Sequence, residues 1–344
     1  MVEISVSYVS NLPLQGDSPK VRIDGKGEYY IEFIDNKTNQ IIFTAFSKGN
    51  ETVIGKRQWF TDWKILVRNK DKNGQIVFED IYNAKGKMVF IKMDSYALGD
   101  NIAWMPYVDK FREKHHCNII CSTFWNNLFV DAYPNILFAE PNTKIQNIYA
   151  QYYIGALKNE TNLNFCPISS INNPLQMIAS ISLGLKHEEL IPRISRPKNI
   201  KNRYQGKYVC ISEFASHKEK MWREMGGWQT IVDFLNSHDY KVVVISKEKT
   251  NLNNVVDKTG DYHLDERIND LIFCDFFIGV SSGLSCLAWA LHKKVVMISD
   301  YTPHNHEFQH ENLRIGKNVD GIINYHLSQI TSKKEVIEKI KTII

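Results

Sequence analysis

The sequence has no run of about eighteen apolar residues, the length that a membrane-spanning helix requires. Its first residues, Met1–Ser5, lack the basic and then apolar layout of a secretory signal. The formal net charge is only +4, whereas nucleic-acid binding usually requires a concentrated basic stripe. These absences exclude a transmembrane span, argue against a nucleic-acid partner and favour a cytoplasmic location.

Cysteine is scarce and scattered. The six cysteines are Cys117, Cys121, Cys166, Cys210, Cys274 and Cys286. Cys117 and Cys121 are too far apart in sequence for the tight C-x-x-C knuckle of a zinc site. The neighbouring His115 and His116 fit an exposed helix end, where a protonated imidazole suits the helix dipole, better than a metal site. We therefore expect reduced core cysteines and no metal ligands.

The chain of 344 residues exceeds the usual size of one domain, so two or three domains are expected. Residues 1–86 hold short aromatic and β-branched runs, separated by turn formers such as Asp24–Gly27 and Lys72–Gly74. This pattern predicts a small all-β module of the sandwich type. The module contains no evident chemistry, so its default role is interaction or assembly, and its sheet edges would allow a homo-oligomer.

From Lys87 onward, apolar strand-like runs alternate with helix-like stretches such as Asn101–Lys114 and Trp125–Asp131. A basic, proline-containing run at Arg193–Arg203 marks a linker. The predicted units are one half over 87–192, a second over 204–330 and a terminal helix over 331–344. Continuous apolar strands alternating with helices indicate parallel sheets covered on both faces. The predicted fold class is α/β, with two Rossmann-type doubly wound halves after the β module.

Asp100 follows Gly99 at the end of a predicted strand and heads a predicted helix. Asp is a favoured N-cap residue, and here it would accept a hydrogen bond from the N–H of Ile102 or Ala103. The alternative is a general base that takes a proton from an acceptor hydroxyl in a cleft. Both roles are compatible if burial opposes the low pKa of a capping carboxylate.

The segment Ser281–Ser285 also lies between a predicted strand and a predicted helix. Small residues and Gly283 let a pyrophosphate approach the backbone, and the helix dipole favours its negative charge. The alternative is that these serines simply cap a packed helix. The position at the end of a parallel strand, where ligands bind in such sheets, favours a phosphate-binding turn.

Two further loops follow predicted strands. In the segment Ser212–Trp222, Lys218 or Lys220 could neutralise a diphosphate leaving group, although a solvated charged loop is the simpler interpretation. Trp228 in the next helix is expected to pack in the core. The segment Thr302–His310 holds three histidines and a glutamate, and we interpret it as a loop that contacts a sugar or a base rather than as a metal site.

These motifs together resemble the bacterial autotransporter heptosyltransferases and, more distantly, the lipopolysaccharide heptosyltransferases. The residues that carry the resemblance are Ala97–Trp104, Ser212 and Glu213 with Lys218 and Trp222, and Val280–Leu291. It covers roughly Met88 to Phe308, and the N-terminal module is similar to that of the autotransporter branch. It implies a GT-B fold and transfer of heptose from an ADP-activated donor, without a metal ion, to serine hydroxyls of a protein.

The resemblance also implies roles for single residues. Asp100 would be the catalytic base, and Lys218 would contact the donor diphosphate. The implied donor-binding residues are Ser212, Glu213, Trp222, Ser281, Ser282, Gly283, Leu284 and Ser285. The implied acceptor-side residues are Gly99, Asn101 and Trp104.

One feature departs from the autotransporter branch, which carries a four-cysteine iron finger between the last strand and the final helix. The segment Gln309–Ile330 contains no cysteine, so iron binding is not expected, and the ring-like assembly and protein acceptor of that branch do not follow automatically.

The sequence thus predicts an inverting, metal-independent glycosyltransferase that needs no cofactor besides its nucleotide-sugar donor. The expected acceptor is a hydroxyl group, on Ser or Thr of a bacterial protein. Two alternatives are a non-catalytic protein that binds a sugar nucleotide or assists assembly, and a nucleotide-sugar epimerase of the same two-half architecture.

Overall fold

The computed structural model describes residues 2–9, 18–155, 168, 173–318 and 329–344. An antiparallel N-terminal sheet is followed by two α/β lobes, each built on its own parallel sheet. The fold class is the predicted one. No helix in the described part of the chain is long and apolar enough to cross a membrane.

The N-terminal sheet is organised around one long strand. Its strands are β1 (Glu3–Ser7), β2 (Lys20–Asp35), β3 (Gln40–Ile54), β4 (Trp63–Asn69) and β5 (Ile76–Ile81). β2 pairs with β3 along one edge, while β1 and β4 share its other edge. The predicted turn at Asp24–Gly27 is wrong. β2 runs through it with shifts of register, because Gly25 adopts a φ of +124° that accommodates a bulge.

The predicted sandwich is also wrong. Among the described residues, the buried face of this single sheet packs on the first α/β lobe and shares one apolar core with it. The backbone N–H of Phe60 donates to the carbonyl of Ser182 at 3.0 Å, and the Phe60 ring packs against Phe111 and Tyr152. The sheet is thereby anchored to the lobe. Its role in self-association stays a prediction.

The first lobe contains a parallel sheet with the order β8-β7-β6-β9. Its elements are β6 (Met88–Met93), α1 (Leu98–His115), β7 (Asn118–Ser122), β8 (Ile136–Ala139), β9 (Ala150–Ile154) and α2 (Leu175–Ser182). The helix predicted at Trp125–Asp131 is only a 3₁₀ turn over Asn126–Leu128. The Asn126 side chain bonds the backbone of Thr123 and Ala139, and such local bonds compete with helix formation.

The second lobe contains a parallel sheet with the order β12-β11-β10-β13-β14. Its elements are β10 (Tyr208–Ser212), a 3₁₀ turn (Lys218–Lys220), α3 (Gly227–Asn236), β11 (Lys241–Val244), β12 (Val256–Asp257), α4 (Leu264–Phe273), β13 (Phe277–Val280), α5 (Gly283–Ala290), β14 (Val295–Ile298) and α6 (Lys333–Ile340). Most residues of β11, β13 and β14 are apolar and β-branched, and all of them except Lys241 are buried, as in a parallel sheet that is covered on both faces. The loops at their carboxyl ends face the first lobe.

The end of α1 differs from the expectation. His115 is half-buried, with its ring 4.3 Å from that of Phe111 and 4.9 Å from that of Phe60. Burial lowers the pKa of His115 to about 4, so the imidazole is neutral at neutral pH and does not pair with the helix dipole as predicted. The cysteines in the described part of the chain are buried and free, as expected, and Cys166 lies outside the described residues.

Gly184 lies where the N-terminal sheet meets the first lobe. Its φ is +62°, and a Cβ there would stand 2.1 Å from Cδ1 of Phe60. Gly206 has a similar φ of +80° and open space around it.

We therefore expect Gly184→Ala to lower the free energy of unfolding by about 1–3 kcal/mol more than Gly206→Ala, because only the first change adds a clash to the backbone strain. Denaturant unfolding of both variants measures this difference. Equal losses would show that the sheet does not depend on this contact.

Candidate active site

Two helices from different lobes begin at the same place. α1 of the first lobe and α5 of the second each follow the carboxyl end of a parallel strand. A Cβ on Gly99 would lie 3.6 Å from Cα of Gly283, and a Cβ on Gly283 would lie 2.9 Å from Cβ of Leu98. The two N-termini thus approach each other at a pair of glycines, and a side chain on Gly283 would displace Leu98 of the opposite lobe.

Asp100 stands in the first turn of α1, at the edge of the gap between the lobes. The first of its two predicted roles, capping the helix, is wrong. The N-cap residue is Ala97, which makes no side-chain hydrogen bond to the helix. Instead, the hydroxyl of Ser95 donates to Oδ2 of Asp100 at 2.7 Å. Burial raises the pKa of Asp100 above its ordinary value, although the Ser95 hydroxyl and the positive charge of Lys220 oppose that shift.

The serine turn provides an uncapped helix N-terminus. Ser282 is the N-cap residue of α5, but its side chain makes no cap, and its buried Oγ has no partner among the described residues. The N–H groups in the first turn of a helix have no acceptor within the helix. Ser285, by contrast, has a structural contact, since its hydroxyl donates a hydrogen bond to the carbonyl of Val280 at 2.6 Å.

A cleft of about 420 Å³ joins these features. Its lining includes Asp100 and Gly99 from the first lobe and Ser281, Ser282, Gly283 and Leu284 from the second, with Ser212 at the end of β10. Such crevices at the carboxyl ends of parallel strands are where open α/β sheets bind ligands. The cleft therefore brings together a carboxylate with a raised pKa and a helix N-terminus that favours anions.

The structure distinguishes the two candidate lysines. Lys220 lines the cleft and interacts electrostatically with Asp100 and His306. Lys218, the residue that the resemblance selected, lies on the exposed side of the same 3₁₀ turn and is not among the described lining residues. A spacing of two residues in a short turn decides which of them faces inward.

Several predicted site residues are buried in supporting positions instead. Asn101 Nδ2 donates to the carbonyls of Ser95 and Ala97, at 2.7 and 2.8 Å, and so holds the loop before α1. Trp104 Nε1 donates to the carbonyl of Leu175 at 3.0 Å. These two residues position cleft-lining neighbours and do not line the cleft themselves.

On the donor side, Trp222 belongs to the core of the second lobe. Its Nε1 donates to the carbonyl of Thr331 at 2.7 Å, and its ring packs edge-on against Trp228, which is a core residue as predicted. Glu213 accepts a hydrogen bond from the Thr250 hydroxyl at 2.6 Å, and burial raises its pKa. Neither Trp222 nor Glu213 is among the described residues that line the cleft.

The loop after β14 adds two residues to the cleft, His306 and Glu307. His306 is buried, and its Nδ1 lies 3.1 Å from the carbonyl of Asn173. Burial raises the pKa of the Glu307 carboxyl, but His306, Arg314 and the hydroxyls of Ser281 and Thr302 outweigh it and hold the pKa below its ordinary value. The sequence predicted that this loop contacts a ligand, but the only basis was its position after the last strand, which does not say which of its side chains face the cleft.

The chain is similar to proteins that are already known. The sequence model of glycosyltransferase family 9 (heptosyltransferase) matches residues 176–341. The autotransporter heptosyltransferase Aah of Escherichia coli is 31% identical over 295 residues, which cover 82% of this chain and 74% of that protein. BimC of Burkholderia thailandensis, called an inactive autotransporter heptosyltransferase, is 29% identical over 298 residues, or 82% of this chain and 68% of that protein.

Among solved structures, that of the iron-containing dodecameric glycosyltransferase TibC from enterotoxigenic E. coli has a TM-score of 0.84 at 24% identity and covers 99% of this chain and 95% of that one. TibC has also been solved in complex with ADP-D-β-D-heptose. Two Rossmann-type lobes that face each other across a cleft form the GT-B fold, and the sequence relatives assign this chain to the glycosyltransferases that have that fold. The chain belongs to glycosyltransferase family 9, the heptosyltransferases, and is related to its autotransporter branch.

The iron of TibC has no matching ligand set in the described part of this chain. There, no group of three or more His, Cys, Asp or Glu side chains is arranged to hold a metal ion. In the histidine-containing loop after β14, His306 is buried in the cleft while His304 and His310 are exposed. The described residues therefore do not fit an iron centre.

The raised pKa of Asp100 has a consequence for stability. Because the carboxyl binds its proton more tightly in the folded chain than in the unfolded one, the fold loses stability as the pH rises through the interval between the two pKa values. We expect Asp100→Asn to raise the free energy of unfolding at about pH 7.5, with a gain that disappears below about pH 4, where both states are protonated.

Asp109→Asn, also on α1, is the matched control, since Asp109 pairs with Arg112 and Arg193 at 2.8 Å and its loss should destabilise the fold. Denaturant unfolding at the two pH values measures both variants. A loss of stability in Asp100→Asn at about pH 7.5 would show that burial does not raise the pKa of this carboxyl.

Proposed function

We propose that this glycosyltransferase transfers a heptose from ADP-heptose directly to a hydroxyl group, with inversion at the anomeric carbon and without a metal ion. The observation that carries the proposal is the apposition of the Asp100 carboxylate and the uncapped N-terminus of α5 in one cleft. The relation to TibC, which binds ADP-heptose, supports the choice of donor.

In this mechanism, Asp100 is the general base. The acceptor hydroxyl approaches from the first lobe, its oxygen attacks the anomeric carbon, and Asp100 takes its proton as the new bond forms. A base is most effective when its pKa lies near the working pH, and burial moves the pKa of Asp100 in that direction. Direct displacement needs one base and no covalent intermediate, and it inverts the configuration.

The second lobe stabilises the leaving group. As the bond between the sugar and the diphosphate breaks, negative charge grows on ADP next to the first-turn N–H groups of α5 and the ammonium group of Lys220. Preorganised donors and a positive charge can stabilise such an anion in a cleft with little water. These groups take the place that a divalent cation has in other transferases.

For the acceptor, we propose Ser or Thr of a bacterial protein. The support is the relation to the autotransporter heptosyltransferases, together with the N-terminal sheet, since the match to TibC covers 99% of this chain and so includes that sheet.

A second candidate function is binding of a sugar nucleotide without turnover. It is favoured by the relation to BimC, which is called inactive and matches the same share of this chain. Calorimetry with ADP-heptose, followed by mass spectrometry of a candidate acceptor protein, separates the two: binding with no added heptose supports the second candidate, and an added heptose mass supports transfer.

Asp100→Asn should lower the rate of heptose transfer by at least about a hundredfold, because the base is lost while the shape of the side chain is kept. The affinity for ADP-heptose should be largely unchanged, since Asp100 acts on the acceptor. Asp109→Asn should retain transfer. Mass spectrometry measures the rates and calorimetry the affinity; full turnover by Asp100→Asn would remove Asp100 from the role of base.

The two lysines provide a matched pair for the leaving-group site. Lys220→Ala should weaken ADP binding about tenfold, because a charge-assisted contact to the diphosphate is lost, whereas Lys218→Ala should bind nearly as well as the native protein. Calorimetric titration with ADP measures both variants. The reverse result would assign the diphosphate contact to Lys218 and remove Lys220 from the leaving-group site.

A further inference from the structure

Behind the cleft lies a second cavity of about 330 Å³. It shares Leu175, Cys286 and Glu307 with the cleft, so the two spaces are adjacent. Ala103, one helical turn after Asp100, forms part of its wall on α1. Trp289, about one turn after Cys286, forms part of its wall on α5. The cavity therefore continues the cleft one turn deeper along both helices.

The walls of this cavity combine an aromatic surface with polar groups. The rings of Trp289 and Phe308 stack with centroids 4.6 Å apart and a tilt of 5°. Most of the polar groups are already satisfied. Gln176 bonds the backbone of Ala103 and Leu190, and Glu189 accepts the backbone N–H groups of two residues in the loop after β14.

Two polar atoms on side chains that line this cavity lack hydrogen-bond partners among the described residues. They are Nε1 of Trp289 and Oε2 of Glu307, both on side chains that are more than nine-tenths buried. The other oxygen of Glu307 is held by the hydroxyls of Ser299 and Thr302, and Oε2 itself lies 3.6 Å from Nε of Arg314. Oε2 is therefore ion-paired with Arg314, whereas the buried N–H of Trp289 has no partner among the described residues and is costly unless a ligand or water accepts its hydrogen bond.

We propose that this cavity is the specificity pocket of the donor site and receives the exocyclic, hydroxyl-bearing carbons of the transferred sugar. This inference rests on the proposed function, because it assumes a donor whose diphosphate lies at the N-terminus of α5. A sugar whose diphosphate is bound at the N-terminus of α5 has its ring beside Asp100. The cavity is the adjacent space into which the exocyclic carbons of that ring can extend. A hydroxyl group on these exocyclic carbons can accept the hydrogen bond that the buried Trp289 N–H does not make within the described residues.

A serine or threonine acceptor does not account for the cavity as well. A serine or threonine needs to bring only one hydroxyl to Asp100, whereas the cavity lies beyond Asp100 and contains on its lining residue Trp289 an N–H group without a partner among the described residues. The longer exocyclic chain of a heptose matches both the space and the polarity. An ADP-hexose, shorter by one hydroxyl-bearing carbon, would leave part of the pocket unfilled.

Two variants test the pocket in different ways. Ala103→Val narrows it from the α1 side, and Trp289→Phe removes the indole N–H while keeping an aromatic ring against Phe308. Each should weaken binding of ADP-heptose relative to an ADP-hexose by about tenfold, the effect expected when one group loses its place in a specificity pocket. Calorimetric affinities for ADP-heptose, the ADP-hexose and ADP alone measure this without any acceptor.

An unchanged affinity for ADP shows that the variants are folded and that their phosphate site is intact. Trp228→Phe, a matched indole deletion in the core of the second lobe, should preserve the ratio between the two sugar nucleotides. The proposal is wrong if both pocket variants keep the native ratio of affinities for ADP-heptose and the ADP-hexose, or if their affinity for both sugar nucleotides falls equally. It is also wrong if the variants change only the concentration of acceptor needed for transfer. Failure of the native protein to transfer heptose would reject the proposed function but leave this binding ratio measurable.

Discussion

The close approach of Gly99 and Gly283 is the constraint on which the site depends. At this point the N-termini of α1 and α5 are so close that a Cβ added to Gly283 would lie 2.9 Å from Cβ of Leu98. The carboxylate of one lobe and the anion-binding turn of the other can serve one small ligand only because nothing larger separates them. The sheets behind the helices fix this geometry, since each helix begins at the end of a buried parallel strand.

The electrostatics of the cleft follow from that approach. Burial makes the charged form of Asp100 unfavourable, while Ser95 and Lys220 stabilise it in part. An acid with a raised pKa reduces the stability of the fold at neutral pH, but it makes a better base than an ordinary surface carboxylate. Lys220 also lies where the diphosphate would leave in the proposed reaction. One positive charge therefore acts both on the base, Asp100, and on the leaving group.

Much of this architecture could be predicted from local patterns. Continuous apolar strands and helical stretches located the two lobes, and the small or acidic residues at Asp100 and Ser281–Leu284 marked the strand ends that meet in the cleft. Side-chain direction could not be predicted in the same way. Trp104 and Trp222 look like ligand contacts in a motif but satisfy their N–H groups inside the core, and only the path of the 3₁₀ turn distinguishes Lys220 from Lys218. Glu307 was missed as a single residue because its partners, Ser281 and Arg314, come from other parts of the chain.

The most direct test of the central claim is a crystal structure of the protein with ADP-heptose bound. In that structure, the diphosphate oxygens should accept hydrogen bonds from the first-turn N–H groups of α5 and lie next to Lys220, with the anomeric carbon facing the Asp100 carboxylate. A donor whose diphosphate lies away from α5, or whose anomeric carbon is turned away from Asp100, would contradict that claim.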